Sequence, residues 1–202
     1  MAALISRFNR LLLFLLFVLY LISVGAFTYA NWVVDPEHVV WVHMLNALIL
    51  SIPLGLFYGS IFILTSSWRE HRLTGKISPR PAKVIHWAPR IAAILIIFFV
   101  SLFSFDVFDM EATPLELLGA FLMHSIPSIV MILVLLFAWR KPVVGFVAFL
   151  LVGLFFLRFV ISDFGLGHFL LFSGPLLLIS ALFYADWRWL KPQPPGPSNA
   201  VV

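Results

Sequence analysis

The chain of 202 residues contains no cysteine and very little charge. The first absence excludes disulfides, thiolate metal sites and cysteine nucleophiles, and leaves the compartment open. The second excludes an ordinary water-soluble globule: Asp, Glu, Lys and Arg make up 11% of the chain, against roughly a quarter in soluble domains. Also missing are a Gly-rich phosphate loop, a nucleophile elbow, a zinc-binding helix and a soluble domain able to carry a substrate. What is present is apolar, 62% hydrophobic residues with a mean hydropathy of +1.08. This is the composition of an integral membrane protein. The net charge of +4 and the pI near 9.8 therefore reflect Lys and Arg left on one membrane face, and nucleic acid is not an expected partner.

A first apolar run, Leu11 to Phe27, follows Arg7 and Arg10 and reads as a first transmembrane helix or a signal peptide. Tyr20 and Tyr29 suit an interfacial anchor, so the run is taken as retained. Asp35 and Pro36 are placed as N-cap and first helical residue of a second helix reaching Trp68, with a kink expected at Pro53. On that helix Ala47, Ser51, Gly55 and Gly59 recur every four residues, the pattern of a packing seam between transmembrane backbones. A flexible gating helix is the alternative reading of the same glycines.

From Arg69 to Arg90 six basic residues, Arg69, Arg72, Lys76, Arg80, Lys83 and Arg90, face only Glu70, with Pro79, Pro81 and Pro89 among them. This predicts a basic connecting loop at 69–88 resting on anionic lipid headgroups. A third helix opens at Pro89 and carries Asp106 near its far end. Thr113, Pro114 and Glu116 have the spacing of a capping box with a first-turn proline and open a fourth helix through Trp139. The three-residue turn Arg140-Lys141-Pro142 sets a fifth helix, about 143–161, beside the fourth, with Gly145, Ala148 and Gly153 as its tight face. After a loop at 162–167 a sixth helix runs from His168 to about Ala185, and a Pro-rich tail at 191–202 is expected to be disordered.

With the N-terminus in the cytoplasm, 12 of the 13 Lys and Arg lie on the inner side, all but Arg158. Each inward-running helix also ends in the same dipeptide, Trp68-Arg69, Trp139-Arg140 and Trp187-Arg188, an indole at the headgroups followed by a cation in water. The expected architecture is thus all-α: six transmembrane helices in an antiparallel bundle of the prokaryotic inner membrane, with both termini cytoplasmic. It divides into two helices (1–68), the basic loop (69–88), a four-helix unit (89–190) and the tail.

Depth along the helices suggests a site. Asp106 and Arg158 both come to roughly 22 Å from the inner face of a 30 Å core, and His124 reaches nearly the same layer from the other end of its helix. Ionisable groups at that depth usually face the bundle interior or water. An outward-facing polar cluster of Asp106, His124, Ser125, Ser128 and Arg158 is expected, with Asn46 or Ser173 nearby. The competing reading is that Arg158 snorkels to the headgroups, Asp106 ends its helix in water, and Ser128 or a water answers the carbonyls that Pro127 leaves free. His38, His43, His124 and His168 fall in the outer half, yet without a His-x-x-x-His or Glu-x-x-His pair they predict no metal or other cofactor. Asp106 and Asp109 share a helical face, which a solvated helix end explains as well as acid-base chemistry does.

The segment from Ala88 to Lys191, with WAPRIAAI, the His-x-x-Pro of His124 and Pro127, the turn AWRKP and the ending ADWRWLK, resembles a family of small prokaryotic four-helix membrane proteins grouped under a domain of unknown function. The resemblance implies a compact four-helix unit from Pro89 onward and imports no activity. Three function classes follow. The first is a non-catalytic accessory or assembly subunit acting through helix packing with a membrane-protein partner or a second copy. The second is a small-solute or proton translocator using the outer cluster, and the third a membrane redox protein or enzyme.

Overall fold

The computed structural model describes residues 2–37, 39–159 and 165–190, which form six helices with no strand among them. They are α1 (Ala2–Val34), α2 (Val40–Thr74), α3 (Pro79–Leu102, continued by a 3-10 turn over Phe103–Asp109), α4 (Pro114–Arg140), α5 (Pro142–Phe159) and α6 (Gly165–Trp189, with a π turn at Phe169–Ser173). Five of the six are long and apolar enough to cross a membrane, and α5 is a shorter apolar helix. Residues 160–164, where the end of the fifth helix and most of the following loop were expected, and the tail at 191–202 lie outside the described residues.

The expected loop at 69–88 is corrected: α2 continues to Thr74 and α3 already opens at Pro79. Only residues 75–78 connect them. Prolines misled here because Pro79 and Pro81 occupy the first turn of α3, where a backbone N–H has no intrahelical partner to lose. Gly75 makes the turn with φ +69°, and its N–H donates to the His71 carbonyl at 2.9 Å. Glu70 closes it, its Oε1 accepting from the Ser78 N–H at 3.0 Å and from the Ser78 hydroxyl. The lone acid of the basic stretch thus holds the start of α3.

The second helix start is also corrected. Asp35 does not cap α2: α1 runs to Val34, and Val39 is the N-cap with no side-chain bond. The Asp35 N–H instead donates to the Asn31 carbonyl at 3.1 Å, extending the bonding of α1 into the turn. By contrast the capping box of α4 forms as expected. Thr113 N–H donates to Glu116 Oε2 at 2.9 Å while Glu116 N–H meets Thr113 Oγ1 at 3.4 Å, with Pro114 in the first turn. Thr113→Ala is expected to remove about 1 kcal/mol of helix-end stability, read as faster amide exchange at Glu116 and Leu117.

The core is built from one face each of α3 and α6 with the inner faces of α4 and α5. Ala93, Ile96 and Phe99 of α3 meet Leu176, Ile179 and Phe183 of α6, flanked by Met131, Leu135 and Ala138 of α4 and Phe149 of α5. The tight face of α5 is as expected and lies against α6. A Cβ on Gly145 would stand 2.7 Å from the Phe183 ring, and one on Gly153 2.8 Å from Leu177. Ser180 bridges the same two helices, donating to the Phe146 carbonyl at 2.7 Å. The π turn sits just before Pro175, whose missing N–H breaks the regular ladder.

Packed on this unit from one side is α2, with α1 laid against α2 through Ser23 and Tyr58, whose hydroxyls are 2.8 Å apart, and through the Arg69 guanidinium, 3.9 Å from the Phe8 ring centre. Most large apolar side chains of α1 are exposed. The small-residue row on α2 is not closed by a neighbouring backbone. Nothing lies within 4 Å of a Cβ built on Gly59, and Gly55 meets only the Tyr20 ring at 3.8 Å.

Candidate functional site

Polar groups gather at both ends of the bundle. At the end opposite the basic residues, Asp106 projects from the 3-10 turn and lines a cleft of about 490 Å³ with Asn31 of α1 and Asn46 of α2. Ile49, Leu50, Phe99 and Phe103 are among its apolar walls. The 3-10 turn also places Asp109 on the face of Asp106, because residues three apart eclipse in that geometry. A carboxylate and two amides lining one largely apolar cleft have the chemistry to accept a cation or a hydrogen-bond donor.

The remaining members of the expected cluster do not line this cleft. His124 is exposed on α4, its Nδ1 2.9 Å from the Ala120 carbonyl of its own helix. Ser125 donates to the Phe121 carbonyl at 2.8 Å, and Ser128 is buried with its hydroxyl unpartnered. Arg158 is exposed near the end of α5. Of the two further candidates, Asn46 joins the cleft and Ser173 is fully buried in the π turn.

His43 was counted only among the outer histidines. It is 4% exposed, both ring nitrogens lack a hydrogen-bond partner, and its ring lies 4.8 Å from that of Trp32. No three His, Asp or Glu side chains come together among the described residues. His38 lies outside them.

At the basic end Arg90 and Asp186 are 2% and 5% exposed and form an ion pair, Arg90 Nη1 donating to Asp186 Oδ2 at 2.7 Å. The same nitrogen donates to the His86 carbonyl, and Nη2 donates to the Trp139 carbonyl at 3.2 Å. His86 Nδ1 lies 3.2 Å from the other carboxylate oxygen, with its side chain 48% exposed. One guanidinium thereby joins α3 to α6 and to the last turn of α4. Trp139, expected as an interfacial anchor, takes part in this pair: its carbonyl accepts from Arg90 and its ring lies 5.9 Å from the guanidinium carbon. Trp68 and Trp139 are exposed and Trp187 is half-buried, with Arg69 over Phe8 and Arg140 and Arg188 exposed.

Counting Arg90 among the solvated cations of a loop is corrected by this geometry: it is a buried, paired residue within α3. One signal was available. Seven of the nine acids were expected at the other end, which leaves Glu70 and Asp186 among the cations, and Asp186, within an apolar helix, in need of a partner. The arrangement engages both carboxylate oxygens, so it works as a staple, with His86 as its half-exposed edge.

Fold and polar sites together define a class: an all-α chain of helices with membrane-crossing length, whose main unit is stapled at the basic end. Within that class the chain belongs to a family described as Domain of unknown function (DUF7670), whose model matches residues 78–195, more than half of the chain. The match opens at Ser78, the N-cap of α3, and covers α3 to α6. The α1–α2 hairpin precedes it. No curated protein and no solved structure matches the chain.

Proposed function

We propose that this protein is a non-catalytic multi-pass protein of the inner membrane that acts by association, as an accessory or assembly subunit. In this reading six antiparallel crossings leave both termini and the basic end in the cytoplasm. The observation that carries it is the uncovered outer half of α4. Only Ser128, Met131, Leu135 and Ala138 of that helix are buried, while His124 stands exposed about 15 Å along it. A polar ring facing lipid at that depth is costly, and a partner helix offering a hydrogen-bonding group relieves the cost. Native mass spectrometry after mild extraction tests this. The wild-type chain is expected to carry a second copy or another membrane protein, and His124→Leu to lower the associated fraction several-fold with helicity unchanged. A strictly monomeric wild type with nothing co-purifying defeats the proposal.

A second reading, a small-solute or proton translocator, is favoured by the cleft of Asp106, Asn31 and Asn46. Proteoliposomes should then show a flux that Asp106→Asn abolishes, and vesicles no leakier than empty ones dispose of it.

A further inference from the structure

An apolar groove of about 470 Å³ runs between α2 and α3, within the size range of small-ligand sites. Its floor on α2 is made of small residues, Gly55, Gly59 and the buried Ser60. Its wall on α3 is Val84, Trp87 and Ile91, and Lys83 stands at its basic mouth. Gly59 leaves open space, since a Cβ on it would meet nothing within 4 Å, and it borders both this groove and a smaller apolar cleft against α1. A neighbouring helix of this chain therefore does not fill that space.

The level of each lining residue identifies the occupant. Trp68 lies six residues before the end of α2 and Trp87 eight residues after the start of α3, so the two indoles mark nearly one layer, about 9 and 12 Å from the connecting turn. Lys83 is one helical turn nearer the turn than Trp87, at headgroup level, and Arg80 follows on the same face at i−3. Below Trp87 the groove descends along Ile91 and Gly55 to hydrocarbon depth. Lys83 is exposed and forms no ion pair among the described residues. A cation above an indole above an apolar channel matches a phosphate, a glycerol backbone and an acyl chain in that order.

We propose that this groove binds one anionic phospholipid, its acyl chain against Gly55 and Gly59 and its phosphate at Lys83. The inference is independent of the association reading above. It commits to lipid over a partner helix because the mouth carries uncompensated positive charge at the depth where anionic headgroups lie.

Bilayer nanodiscs containing a minor fraction of brominated phosphatidylglycerol, or the same fraction of brominated phosphatidylcholine, test it through tryptophan quenching. The contribution of Trp87 is the difference between the wild type and Trp87→Phe. Quenching of Trp87 is expected to report about fivefold enrichment of the anionic lipid over the zwitterionic one, the preference of one basic residue at the surface. Lys83→Ala should remove that preference. Gly59→Leu, whose side chain enters open space, should fill the channel and abolish the preference with circular dichroism unchanged. Equal quenching of Trp87 by the two lipids overturns the proposal. So does an undiminished preference in Gly59→Leu, which would put the lipid on the basic surface or leave the groove to a partner helix.

Discussion

Asp186→Asn is expected to lower the unfolding free energy by about 3–5 kcal/mol, read as an earlier midpoint in titration with a denaturing detergent. The reason is the asymmetry of buried charge. With the carboxylate replaced, the Arg90 guanidinium stays buried opposite an amide that carries no compensating charge. Arg90 Nε already has no partner, so the site holds no spare acceptor to absorb the change. Arg90→Met is expected to cost a similar amount by stranding Asp186.

The paired replacement Arg90→Met with Asp186→Leu should recover most of the loss, because it removes both desolvated charges at once. Recovery in the double variant is what separates a coupled ion pair from two independent packing defects, and additive losses would refute the pairing. His86→Ala should cost far less, since its imidazole is half exposed and screened by water.

The second large effect concerns which small residues are under compression. Gly145→Leu and Gly174→Ala are each expected to destabilise by about 1–3 kcal/mol, while Gly59→Ala should be close to neutral. A Cβ at Gly145 collides with the Phe183 ring at 2.7 Å. One at Gly174 stands 2.6 Å from Phe57 of α2 and 2.8 Å from the Phe169 carbonyl oxygen, an atom of the backbone that cannot swing away. Gly174 is therefore where α2 locks onto the family domain, and Gly174→Ala should loosen that contact and expose α2 to crosslinking. Thermal melts of the three variants check the ranking. A Gly59→Ala variant as damaged as Gly145→Leu would overturn the assignment of the tight seam.

The capping box of Thr113 and Glu116 was legible because its partners are three residues apart and its chemistry is local. The tight turn between α4 and α5 was legible for the same reason, although it is shorter than the expected Arg140-Lys141-Pro142: Arg140 ends α4, Pro142 opens α5 and Lys141 alone connects them. Proline was a poorer guide: at Pro79 and Pro81 it opened a helix where a loop was expected, since a proline is equally at home in either. Spacing every four residues marked Gly55 and Gly59 as a seam, yet that periodicity says only that they share a face, and the face opens on a groove. Asp106 was expected beside His124 and Arg158, but its companions in the cleft are Asn31 and Asn46, brought there by α1 and α2.

By itself the sequence determined long apolar helices with most cations gathered at one end, because a chain this poor in charge has too few polar groups to cover so much apolar surface against water. Tertiary structure alone decided that Arg90 meets Asp186 across 96 residues, that Gly145 and Gly174 are compressed while Gly59 is not, and that Asp106 shares a cleft with two asparagines. Helical periodicity assigns a residue to a face and a depth. It carries no information about which distant helix arrives at that face, and in a bundle the arriving helix decides whether a charge is paired or a glycine has room.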